Sequence, residues 1–193
     1  MVGASYITWF LSDNYVILFN KINFMKNFLT VLFILFFNFN FAQELITTGS
    51  NVSVNEAKAL INQHNFAKAE VGVSEIEWSS KLATVAQKYA NYLASSSCSL
   101  RHSGNKNYGE NLFWGSGTYY SALDASNSWY EEKQLYNYEK VGETNFHDYV
   151  HYTQIIWKNT TIVGVGVAKC SDGSYIYVAN YYPPGNYIGQ YPY

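Results

Sequence analysis

The sequence predicts an α+β domain in which helices flank a small antiparallel sheet. Three observations carry this reading. Apolar residues recur at helical spacing in the first half of the chain after residue 53, where a serine and a glutamate stand in capping-box order. Two later runs, Ile162 to Lys169 and Tyr175 to Asn180, are rich in β-branched and aromatic residues. They are joined by Ser171-Asp172-Gly173-Ser174, a turn-forming cluster that makes them a hairpin. Helices and a sheet of this size stack as layers around a common core.

Taken in order, the chain opens with a segment that is not expected to fold. Residues 1–24 show no turn pattern and no partner element, so translation is expected to start at Met25 and these residues to be a gene-model extension. Residues 25–42 place Lys26 before the apolar run FLTVLFILFFNFNFA, followed by Gln43-Glu44. This is the pattern of a secretory signal peptide cleaved after Ala42. The alternative is a membrane anchor, but a charge-free run of roughly 15 residues is short of the roughly 20 a spanning helix needs. Residues 43–52 form a polar linker, and residues 53–193 are long enough for one compact domain with a sizeable core.

Within that domain, Ser53-Val54-Asn55-Glu56 caps a first helix with Ala57, Leu60, Ile61, His64 and Ala67 or Lys68 on its inner face, ended by Gly72. Trp78-Ser79-Ser80 caps a second, in which Leu82, Val85, Ala86, Tyr89, Ala90 and Leu93 form one apolar stripe. A third is expected from Tyr120 to Tyr136 and a short fourth from His151 to Lys158. Gly109 to Trp114 reads as a further strand.

Composition narrows the function. The chain has 12 basic and 14 acidic residues, and removing Lys21, Lys26 and Asp13 with the leader leaves it slightly acidic, which excludes an electrostatic nucleic-acid binder. All but Tyr6 and Tyr15 of the 19 tyrosines lie in the mature chain, and such amphipathic rings suit an extracellular binding module. The two cysteines, Cys98 and Cys170, are expected to pair in an oxidising compartment, closing a loop of about 70 residues; two free buried thiols are the alternative.

Four polar clusters could carry chemistry: Arg101-His102-Ser103, Tyr108-Gly109-Glu110-Asn111, Trp129 with Glu132 three residues on, and His151-Tyr152-Thr153-Gln154. Their order, with HYTQIIWKNT and the closing NYYPPGNYIGQYPY, resembles the CAP superfamily of cysteine-rich secretory proteins, antigen 5 proteins and pathogenesis-related proteins, and the tail is most similar to the plant branch. The resemblance implies a three-layer α-β-α sandwich with a cleft holding His102, Glu110, Glu132 and His151. It also matches Cys98 and Cys170 to a disulfide position. The sequence departs from the family at Val150, where glycine is usual, and at Ala179, where the plant proteins have one of their further cysteines.

Two imidazoles and two carboxylates can ligate a divalent metal such as zinc, or can form a hydrogen-bonded structural network; both readings stay open. His147 and His151 mimic a zinc-protease helix, but aspartate replaces the glutamate base, and the resemblance puts His147 in the preceding loop. Gly115-Ser116-Gly117 is a turn rather than a nucleophile elbow. An enzyme is therefore not the first expectation. The resemblance implies a secreted binding or effector module acting on an extracellular surface or protein partner, with a sterol or fatty-acid carrier and a metal-dependent hydrolase as alternatives. Phe146 and Tyr149 could offer an apolar surface to such a lipid, or could anchor their loop. The tail from Pro183 to Tyr193 is expected to strap the surface as irregular chain; the plant resemblance suggests release as a peptide instead.

Overall fold

A computed structural model describes residues 47–193; the extension, the signal peptide and the first residues of the linker lie outside the described residues. The described residues form one unit, Thr47–Tyr193. Among them, no helix is long and apolar enough to cross a membrane.

The elements follow in the order α1 (Val54–Glu70), β1 (Glu77–Trp78), α2 (Ser80–Ser95), β2 (Gly109–Gly115), α3 (Ala122–Glu131), α4 (Val150–Ile155), β3 (Ile162–Lys169) and β4 (Tyr175–Tyr182). Short 3-10 turns cover Glu132–Leu135 and Phe146–Asp148. The capping box at Ser53 forms as expected: the Glu56 amide donates to Ser53 Oγ at 3.2 Å, and Ser53 N donates to Glu56 Oε2 at 3.0 Å. A second box, Ser121 with Asp124, starts α3. The helix expected to reach Tyr136 ends as α-helix at Glu131 and continues as the 3-10 turn to Leu135, with the Glu132 carboxylate turned toward α4, as described below.

The sheet order is β1-β3-β4-β2. The hairpin β3–β4 and the pair β2–β4 are antiparallel, as expected. β1 adds a parallel rung beside β3, so the sheet is mixed; two residues are too short to show any period in sequence. Alternation along β4 builds the layers. Tyr177, Ala179 and Tyr181 join α1, α3 and α4 in one buried cluster, while Ile176 and Val178 join Ala86, Ala90 and Leu93 of α2 in another. The α2 layer lies close against the sheet: a β-carbon at Gly164 or Gly166 would strike the α2 backbone. This is the three-layer arrangement, with four helices on a four-stranded sheet.

The cysteines are joined, Cα to Cα 5.9 Å apart, tying the chain just after α2 to the end of β3. Tyr149 is fully buried, with its ring against Tyr136, so it anchors its loop and leaves little apolar surface there; Phe146 is half-buried. Lys68 is fully buried. Its ammonium donates to the carbonyls of Trp157 at 2.9 Å and Thr160 at 3.2 Å, in the turn that follows α4. Burial pushes the Lys68 amine down to about 8.

Candidate functional site

The four expected residues form two separate His–Glu pairs, and no three of them have ligand atoms within 4.8 Å of one another. In the first, Glu110 opens β2 and accepts through Oε1 from His102 Nδ1 at 2.8 Å and from the Ser103 amide at 2.9 Å. The His102 side chain is 63% exposed and that of Glu110 only 9%. The hydrogen bond that His102 donates to Glu110 raises the His102 pKa above its usual value, against the opposing effect of burial. Burial alone would push Glu110 up, but the hydrogen bonds from His102 and Ser103 together leave it lowered.

The second pair is built at the start of α4. Tyr149, the N-cap residue, offers no side-chain cap, and Glu132 takes that role from another element. Its Oε2 accepts from the amides of His151 at 2.9 Å and Tyr152 at 3.2 Å, which the first helical turn cannot satisfy itself. Its Oε1 accepts from His151 Nδ1 at 2.6 Å. The Trp129 indole lies nearly parallel to the His151 ring at 6.4 Å and is itself held by a bond to the Leu112 carbonyl at 3.0 Å. His147 lies outside α4, in the preceding 3-10 turn, which removes the zinc-protease reading.

The two pairs approach the start of β2 from different faces of the strand. Leu112 belongs to the α2-side cluster, and Glu110, two residues before it, shares that face. Asn111 points the other way, donating to the His151 carbonyl at 3.1 Å and to Tyr181 Oη at 3.3 Å. Tyr181 Oη in turn meets Nε2 of the buried His64 at 2.9 Å. Burial first, and then the nearby Lys68, push His64 down to about 3, so that imidazole is neutral. Among the described residues, one group of at least three His, Cys, Asp or Glu has all its ligand atoms within 4.8 Å of one another. It is Cys98, Cys170 and Asp172, in which both sulfurs are spent in the disulfide.

What sequence reading missed is the support: Ser103 N, Asn111, and the capping role of Glu132. A partial signal for the last was available, since the N-cap position of α4 is Tyr149, which cannot cap as Ser, Thr, Asp or Asn would.

The His102–Glu110 pair has a pH signature in the metal-free protein. A raised imidazole contributes stability below its unfolded value of 6.5 that is lost as pH rises through the folded value. A depressed carboxyl contributes stability above its unfolded value of 4.5 that is lost as pH falls through the folded one. The melting temperature difference between the protein and Glu110→Gln should therefore be largest between pH 4.5 and 6.5 and shrink on both sides. A difference that does not vary with pH would show that the pair is not ionised as described.

The sequence matches the model of the cysteine-rich secretory protein family (CAP) over residues 61–181. It is 41% identical over 149 residues to pathogenesis-related protein 1C of Nicotiana tabacum, covering 77% of this chain and 88% of that protein. It is 44% identical over 130 residues to pathogenesis-related protein PR-1 of Medicago truncatula, covering 67% and 74%. The fold is similar to BmVAL-1, with a TM-score of 0.65 at 22% identity over 75% of this chain and 84% of the other. It is also similar to the crystal structure of NaASP2 with Zn2+, with a TM-score of 0.64 at 22% identity over 74% and 86%. Layered fold, ordered motifs and extended identity agree: the chain belongs to the cysteine-rich secretory protein (CAP) family, with relatives among the plant pathogenesis-related 1 proteins.

Proposed function

We propose that this chain is a secreted, extracellular binding protein whose two His–Glu pairs form a divalent-cation site, with zinc as the metal. One observation carries the reading. Each imidazole has Nδ1 fixed by a carboxylate, while among the described residues neither Nε2 has a hydrogen-bond partner. A histidine held by a carboxylate on one nitrogen is oriented to offer the other to a metal. As they stand, no three of the four residues have ligand atoms within 4.8 Å of one another, so a shared cation would have to draw the two pairs together at the start of β2, with His102 and His151 as its ligands, Glu110 and Glu132 orienting them, and Glu132 also capping α4. The donor set suits zinc, which takes imidazole and carboxylate ligands and completes its shell with water. Bound there, the cation would supply a Lewis-acidic point for an anionic or carbonyl-bearing partner. NaASP2, solved with Zn2+, lends the reading support from a protein of the same fold. The apolar leader, the disulfide and the family support export.

Zinc added to protein purified without an affinity tag should raise the melting temperature at pH 7, and the shift should fade as protons compete for the two imidazoles. Glu132→Gln or Glu110→Gln should weaken zinc binding by about 10- to 100-fold, the range for losing an orienting carboxylate. An equal zinc shift in the His102→Ala, His151→Ala double variant would overturn the assignment.

A further inference from the structure

On the far side of β2 from His151, between α2 and the chain from 103 to 110, lies a cavity of about 350 Å3. It is walled by Lys88 and Tyr89 of α2, by Asn105 and Tyr108 of the connecting chain, and by Glu110 and Asn180 of the sheet. Glu110 and Asn180 are directly opposed across the β2–β4 ladder, so their side chains leave the sheet side by side on the same face.

Asn180 is the unusual member. It is 4% exposed at the middle of the sheet, yet its side-chain amide makes no hydrogen bond to any described residue. Neither of its polar atoms is sealed away from solvent, because the amide opens on the cavity. Within the protein this amide has no partner, and its two donors and its acceptor face the cavity, where a ligand can take the place of solvent. Glu110 is similar in part: Oε1 is occupied by His102 and Ser103, while Oε2 has no partner among the described residues. The rings are fixed. Tyr89 spends its hydroxyl on the Arg101 carbonyl at 2.6 Å, and Tyr108 packs edge-on against Tyr182.

The charges select the occupant. Lys88, an exposed residue lining the cavity, can swing its ammonium toward it while Glu110 presents a carboxylate, so a ligand of either net charge would gain from one and lose to the other. A neutral ring rich in hydroxyls uses both. It can donate to Glu110 Oε2 and the Asn180 carbonyl oxygen, accept from Asn180 Nδ2 and Lys88 Nζ, and lay its C–H face on tyrosine. The volume admits one or two such rings and lies in the usual range for small-molecule sites. We propose that this cavity is a carbohydrate subsite, reading one neutral sugar unit of a glycan through Asn180, Glu110 and Lys88. It goes beyond the cation site and does not require metal, because it uses Glu110 Oε2 and none of the imidazole nitrogens.

The test is titration of the purified protein in EDTA with chitobiose, cellobiose, xylobiose and laminaribiose, read by calorimetry and by saturation-transfer NMR. At least one should bind with a Kd on the order of millimolar, as expected for a small polar ligand. Asn180→Leu and Lys88→Ala should each weaken it by about tenfold, the equivalent of one lost hydrogen bond. Lys88 is exposed on α2, so its variant should fold, and it should keep the zinc-induced shift in melting temperature. Loss of that shift in the parent protein would sink the cation site and leave the sugar site standing. Absence of binding by all four sugars at tens of millimolar would overturn the proposal. So would equal binding by both variants, or displacement by glycine, whose opposed charges would mark a zwitterion site instead.

Discussion

Replacing Cys98 and Cys170 together by serine should lower stability by about 4 kcal/mol, the chain-entropy value for a loop of this length. The bridge spans 72 residues of sequence, from the chain after α2 to the turn after β3. Without it the unfolded chain regains the freedom of that whole loop. The folded protein loses little besides the bridge, because Cys170 is already held by the hydrogen bond its backbone N–H donates to the Ser174 carbonyl at 2.8 Å. For a domain of this size the expected fall in melting temperature is roughly 8–16 °C. The effect should not be uniform. Cys98 stands at φ +48, at the head of the stretch from 96 to 108 that carries His102 and contains no helix or strand. That stretch is otherwise pinned mainly by Tyr89 to the Arg101 carbonyl and by Glu110 to the Ser103 amide. Hydrogen exchange in the serine variant should therefore rise first between 97 and 108. A melting temperature within a degree or two of the parent would show that the bridge ties only ends already held, and that the entropy estimate does not apply.

The elements that could be read directly from sequence are those fixed by neighbours in the chain. Ser53 and Glu56 satisfy one another within one turn, and the stripe on α2 needs only its own period. The Asp172-Gly173 turn is equally local, with Gly173 at φ +89. Features set by distant partners were not visible. β1 exists because Glu77 and Trp78 meet Ile162 and Val163, and nothing in two residues announces that. The Glu132 carboxylate, just past α3, caps a helix 19 residues away, which no local pattern announces. The four site residues were legible through the order of their motifs. Their division into two pairs was not, because the face on which Glu110 emerges depends on β2's register against β4. Asn180 was passed over for the same reason: in sequence it is one polar residue in a strand, and only the fold leaves its amide without a partner.

Truncation after Tyr182 should cost on the order of 3–5 kcal/mol, since the tail covers α4 and supplies the shortest hydrogen bond to Thr153 and the partner of Gln154 Oε1. Thr153 and Gln154 are buried in a short helix, which demands partners. The tail provides them: Thr153 Oγ1 donates to Asn186 Oδ1 at 2.8 Å, and Gly185 N donates to Gln154 Oε1 at 3.1 Å. Asn186 also donates to the Val150 carbonyl at 2.7 Å, and further on Lys158 N donates to the Pro192 carbonyl at 2.8 Å. A β-carbon at Gly185 would strike the Trp157 indole, so glycine permits the chain to pass this close. Beyond it, Tyr138 lies between Tyr191 and Tyr193, at 4.8 and 4.9 Å. Much of the tail's own surface stays exposed, including Tyr187 and Ile188, so its contribution comes more from pairing buried groups than from burying its rings. Because Asn186 grips both ends of the first turn of α4, the truncated protein should also show a smaller zinc-induced shift, through a looser His151. A truncated domain that melts like the full chain, with the fragment from Pro183 recovered from culture medium by mass spectrometry, would mean that the tail is carried rather than structural. Its bonds to Thr153, Gln154 and Val150 would then be a latch that release opens.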